Sequence, residues 1–122
     1  VRAALITRNN ATAVEHFVGE VEPLCQLLEP KIDRDFPYTK PDPRVAQHVL
    51  DQWGIDPSQV LFVGDSHEDL VCGRCAGCRT ALVYHGEGGE NGALLARARA
   101  EGLVDHVVRD LAELLPLLLV PP

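Results

Sequence analysis

The chain has 122 residues, enough for one domain with a single core and too few for two, and its composition (46% hydrophobic, 24% charged, 10 Gly, 9 Pro, mean hydropathy -0.01) is that of a folded globular protein and not of a disordered or fibrous one. With Lys+Arg at 11 and Asp+Glu at 18, the net charge of -7 repels phosphate backbones and anionic lipid, which argues against a nucleic-acid partner and against a membrane surface. The longest apolar run, residues 114–120, contains a proline and falls far short of the roughly 18–20 residues of a membrane span.

Val1-Arg2-Ala3-Ala4-Leu5-Ile6 offers neither an initiator Met nor a basic segment leading into an apolar stretch, so no signal peptide is expected and the start reads as a cut end. Ala3–Thr7 is expected to be a buried strand running into the polar Thr7-Arg8-Asn9-Asn10 loop. Val14, Phe17, Val18, Val21, Leu24 and Leu28 recur at helical spacing, and Gly19 and Pro23 divide them into two short helices. Lys31–Phe36 is a strand candidate, followed by a loop punctuated by Pro37, Pro41 and Pro43. Pro43 opens a helix with Asp42 as its N-cap, an apolar face of Val45, Ala46, Val49, Leu50 and Trp53, and a stop at Gly54. Val60–Val63 is an unbroken apolar run of the kind found in a parallel strand covered on both faces. Ser66-His67-Glu68-Asp69 has capping-box spacing, predicting a helix from about His67 to Ala76 that stops at Gly77. A strand over Thr80–Tyr84, a loop over Gly86–Gly92, a helix over Ala93–Glu101, a strand over Val104–Val108 and a last helix over Leu111–Leu119 complete the expectation. This alternation argues an α/β domain over residues 1–122 with a mostly parallel sheet, whose ligands gather beyond the strand C-termini.

The polar residues placed there are Thr7 after the first strand, Asp65 and Asp69 after Val60–Val63, and Lys40 in the proline loop. A hydroxyl with loop N–H groups can hold phosphate oxygens, a lysine can offset their charge, and paired carboxylates can hold Mg²⁺ through oxygen ligands and water. Each has a plainer role as well. Thr7 alone is a strand-end hydroxyl, Lys40 a solvated lysine, and Asp69 only the third residue of a capping box; Asp65, just past an apolar strand, is harder to dismiss.

Leu5-Ile6-Thr7-Arg8-Asn9, Lys40-Pro41-Asp42-Pro43 and Val63-Gly64-Asp65-Ser66-His67-Glu68-Asp69 together resemble motifs two, three and four of the haloacid dehalogenase (HAD) superfamily, in its phosphoglycolate-phosphatase-like branch. The resemblance implies a Rossmann-like core and a Mg²⁺-dependent phosphatase that hydrolyses a small phosphomonoester through an aspartyl-phosphate. It implies that Thr7 and Asn9 bind the phosphoryl group and that Lys40 steadies the phosphate and the nucleophile's charge. Asp65 would coordinate Mg²⁺, and Asp69 would support that site by coordination or through water. The family's DxDGT-like segment on the first, central strand, which carries the nucleophile, has no match in these residues, and the helical cap is missing too. A truncated chain, inactive alone, is therefore expected, with a sheet edge at which a missing N-terminal segment or a second copy could pair. The alternative from another class is a non-catalytic phosphate-binding or interaction module.

Two other motifs compete less well. Cys72, Cys75 and Cys78 read as C-x₂-C-x₂-C and with Cys25 could ligate a metal, but they fall where a helix needs small apolar residues, and a reducing cytoplasm is the simpler assumption for four such cysteines. Gly86–Gly92 misses G-x-G-x-x-G, and Glu87 and Glu90 would oppose a pyrophosphate; His67 reads as a solvated loop histidine, and Arg97 and Arg99 as helix-face charges.

Overall fold

The computed structural model describes residues 3–6, 28–84, 89–109 and 113, and the chain divides into two compact units, Val1–Thr39 and Lys40–Pro122. Thr7, Asn9, the helices expected between Val14 and Leu24 and all of the expected last helix but Glu113 lie outside the described residues.

In the first unit, β1 (Ala3–Ile6) pairs in parallel with β2 (Leu28–Ile32), with Leu5 opposite Lys31 and Ile6 opposite Ile32. The second strand begins and ends earlier than the expected Lys31–Phe36, and Leu28 belongs to it, not to a helix face. Asp33 is the reason for the early end. Its carboxylate accepts the Asp35 N–H (2.9 Å) and its carbonyl accepts the Phe36 N–H (3.2 Å), so the chain turns as soon as β2 stops. Pro30, which has no N–H to give, is tolerated within β2 because β2 has a strand on one side only among the described residues.

The second unit is built on a parallel sheet ordered β3 (Leu61–Gly64), β4 (Arg79–Val83), β5 (His106–Val108). Phe62 lies opposite Thr80 and Leu82 opposite Val107. β4 is the middle strand, which is why its Thr80, Ala81 and Leu82 are wholly buried while β3 is half-exposed. Helix α1 (Arg44–Trp53) buries Val45, Ala46, Val49 and Leu50, as the spacing requires, and ends where Gly54 turns to φ 66° and sends its N–H to the Leu50 carbonyl. Its N-cap is Pro43, one residue after the expected Asp42, whose carboxylate nonetheless accepts the Arg44 N–H at 2.9 Å.

Helix α2 (His67–Cys75) starts on the expected capping box and packs against β3 through Gly73, where a Cβ would come within 2.6 Å of Phe62. Cys72 and Cys78 are core residues, as expected of small hydrophobes, and burial pushes both thiols up to about 11; Cys75 is exposed. Helix α3 (Gly89–Ala100) begins inside the segment expected to be a loop. Two glycines there cost roughly 1 kcal/mol each. Packing of Leu94, Leu95 and Ala98 around Leu70 and Leu82 outweighs that cost and fixes the helix. Thr80 ties the return loop down: its hydroxyl donates to the Leu103 carbonyl, its N–H to Asp105, and Arg74 of α2 pairs with the same carboxylate at 2.9 Å.

Candidate functional site

The C-terminal end of β3 and the first turn of α2 are joined by Asp65 and Ser66 alone. So short a link works because Asp69 folds back beneath it. Its Oδ2 accepts the N–H of Asp65 (3.1 Å) and of Ser66 (3.3 Å), while Ser66 Oγ accepts the Asp69 N–H (3.2 Å). Backbone donors that would otherwise be orphaned at a helix start are thus satisfied reciprocally. Gly64 is a condition of this arrangement, since a Cβ at that position would overlap the Asp69 side chain. The acidic side chains of the first turn, Glu68 and Asp69, also sit at the positive end of the helix dipole.

Lys40 comes to the same point from the other side. Its Nζ donates to Asp69 Oδ1 at 2.5 Å, with the two side chains 17% and 6% exposed. Asp69 is therefore the joint of the site: one oxygen holds the loop amides and the other holds the lysine. Asp65, by contrast, is exposed at the strand end, the position from which a carboxylate can reach a ligand. Lys40 and Asp69 are thus in direct contact and Asp65 lies in the loop whose amides Asp69 holds, while Thr7 and Asn9 fall outside the described residues.

Among the described residues no group of three or more His, Cys, Asp and Glu side chains could by itself hold a metal ion. The donor set still suits a hard cation in part. Asp65 offers a carboxylate with access to solvent, as Mg²⁺ requires, whereas both oxygens of Asp69 already serve protein donors.

His67 and Gly64 are the neighbours whose roles were not legible in the sequence. His67 is not a solvated loop residue: it is the first residue of α2, and its Nε2 lies 2.8 Å from Glu101 Oε2. Glu101 also accepts from Arg97 Nε at 3.1 Å, and these two partners, His67 first, hold its carboxyl below the ordinary range. No local signal marks a contact spanning 34 residues of sequence.

The family model described as HAD-hydrolase-like matches residues 37–114, which take in the Lys40 segment, the Asp65 loop and the whole sheet of the second unit. An uncharacterized hydrolase of Saccharomyces cerevisiae is 36% identical over 115 residues, or 93% of this chain and 50% of the relative. Phosphoglycolate phosphatase 1 of Pseudomonas aeruginosa is 36% identical over 117 residues, or 95% of this chain and 40% of the relative. Among solved structures, a predicted phosphoglycolate phosphatase of Haemophilus somnus 129pt superposes with a TM-score of 0.78 at 23% identity, covering 95% of this chain and 49% of that one. A HAD-superfamily hydrolase of Geobacter sulfurreducens PCA gives a TM-score of 0.70 at 21% identity, covering 97% and 49%. These two structures show the shared fold. The chain spans half or less of the length of these relatives.

Proposed function

The chain belongs to the HAD-like hydrolase family, and on that premise we propose that it forms the phosphate-binding part of a Mg²⁺-dependent phosphatase core acting on a small phosphomonoester through an aspartyl-phosphate. The observation that carries this is the Lys40–Asp69 pair beside the Asp65 loop at the C-terminal end of a parallel sheet. The Lys40 ammonium has three N–H donors and directs one at Asp69 Oδ1, so two remain to donate to a phosphoryl oxygen while the positive charge offsets that of the phosphate. Asp69 keeps that ammonium in place and holds the Asp65 and Ser66 amides, so the loop needs little rearrangement when the phosphate arrives. Thr7 and Asn9 are assigned to the phosphoryl oxygens by the family resemblance. When bound, Mg²⁺ would neutralise phosphoryl charge, with Asp65 as its direct ligand here and Asp69 acting through the loop it orders or through water.

None of the three motifs supplies a nucleophile. Asp65 is needed at the cation and Asp69 is tied to Lys40, so the attacking carboxylate is assigned to a segment outside residues 1–122. Its place would be at the side of β3 away from β4, which carries no strand among the described residues; a second copy of the chain is the other candidate there. No helix among the described residues is long and apolar enough to cross a membrane.

The test is hydrolysis of p-nitrophenyl phosphate with Mg²⁺ by the 122-residue chain and by a form extended by any preceding coding sequence, each with an Asp65→Ala control. Turnover by the extended form alone, abolished by Asp65→Ala, is the expected result. Turnover by the chain alone would place the nucleophile within these residues. Phosphate binding without turnover in both forms would instead make the protein a binding module.

A further inference from the structure

The first turn of α1 follows directly on the Lys40–Pro41–Asp42–Pro43 segment, so whatever secures that turn also secures the lysine. An α-helix begins with backbone donors that have no partner within the helix, and a buried helix start must find them elsewhere. Three of the partners here are local. Asp42 Oδ1 takes the Arg44 N–H (2.9 Å), the Asp42 carbonyl takes the Val45 N–H (3.3 Å) and the Pro43 carbonyl takes the Gln47 N–H (2.9 Å). The remaining donor, the N–H of Ala46, belongs to a residue 3% exposed and finds the sulfur of Cys72 on α2. Cys72 Sγ in turn donates to the Asp42 carbonyl at 3.5 Å.

We propose that Cys72 is a positioning residue: from α2 it caps the first turn of α1 and thereby fixes the segment that delivers Lys40 to the phosphate site. Asp69 and Cys72 lie three residues apart on α2, one helical turn, and so share a face. Asp69 holds the end of the lysine side chain and Cys72 holds the backbone from which that side chain springs. The thiol is wholly buried, and burial keeps it protonated at neutral pH, the state that can donate to a carbonyl. A small apolar side chain would fill the same space without serving the Ala46 donor or the Asp42 acceptor. This deepens the phosphatase assignment and rests on it.

The experiment compares the full chain with its Cys72→Ala, Cys72→Ser and Lys40→Met variants. Alanine and serine have nearly equal volume, so both leave the same gap and differ only in the hydroxyl that can replace the thiol's two bonds. Amide hydrogen exchange at Ala46 and the affinity for inorganic phosphate in the presence of Mg²⁺ are measured well below the melting temperature of each variant. In Cys72→Ala, exchange at Ala46 is expected to rise by about tenfold and phosphate affinity to fall by about fivefold, the scale of one lost cap. Cys72→Ser should stay within about twofold of wild type in both, and Lys40→Met should lose about tenfold or more in affinity. Unchanged Ala46 exchange in Cys72→Ala overturns the cap. Raised exchange with unchanged phosphate affinity, where Lys40→Met does weaken binding, overturns the positioning role. If Lys40→Met changes nothing, or the wild-type chain binds no phosphate, the phosphate-site assignment itself fails and the positioning role falls with it.

Discussion

Replacing Asp69 by alanine removes the acceptor of three donors at once: the N–H groups of Asp65 and Ser66 and the ammonium of Lys40. Stranding one member of a fully buried ion pair costs about 3–5 kcal/mol. Lys40 keeps 17% of its side chain in solvent, which lowers its share to roughly 2–3 kcal/mol by partial rehydration. Loss of the capping box adds about 1 kcal/mol. Asp69→Ala should therefore cost about 3–4 kcal/mol, a large fraction of the roughly 5–15 kcal/mol that holds a domain together. Asp69→Asn separates the contributions. Its one amide oxygen can still serve the loop amides, but its NH₂ then faces another donor at Lys40, so about half of the loss should remain. Urea unfolding followed by the fluorescence of the single tryptophan, half-buried Trp53 on α1, reads both variants. A cost below about 1 kcal/mol for Asp69→Ala would refute the reasoning, for Asp69 would then be a surface carboxylate and not the joint of the site.

Gly64→Ala should collapse the same site from the backbone side, because its Cβ overlaps Asp69; a cost above about 2 kcal/mol and loss of phosphate binding are expected, and an alanine variant of wild-type stability would show that the loop is not as drawn. Alkylation with peptide mapping should label Cys75 quickly in the native protein and leave Cys72 and Cys78 protected until unfolding. The two buried thiols have folded pKa values near 11, above the ordinary value of 9.0, so their contribution is complete below about pH 9 and is lost as pH rises toward 11; replacing both by alanine should flatten that alkaline decline. At Asp105, partial burial works against ionisation, but the Thr80 N–H and the Arg74 guanidinium prevail and hold the carboxyl below its ordinary 3.8. Its contribution is therefore present above about pH 4 and is lost as pH falls through the folded value; Asp105→Asn should be less stable at neutral pH and less sensitive to acid.

The residues that define the candidate site were legible because their signals are local. An apolar run ending in Gly64-Asp65, a Ser66–Asp69 capping box and a lysine between prolines all lie within a few residues, and short-range hydrogen bonding makes such patterns act alike wherever they fold. The same holds for α1, whose buried face and Gly54 stop follow from helical period and from the need for a left-handed residue at its end. The early end of β2 was missed because Asp33 draws its turn closed with a side-chain bond that competes with the strand. The glycine-rich start of α3 was missed because packing on Leu70 and Leu82, remote in sequence, overrides poor local propensity.

What the sequence determined by itself was the set of chemical groups and the family to which they belong. Only the tertiary structure decided how those groups are used. Asp69 could have been a free carboxylate awaiting a cation; the approach of Lys40 from 29 residues away commits one of its oxygens, and the turn of the Asp65 loop commits the other. A carboxylate has few lone pairs to share, and which donors take them depends on which elements pack together, a matter of long-range burial that no local spacing encodes.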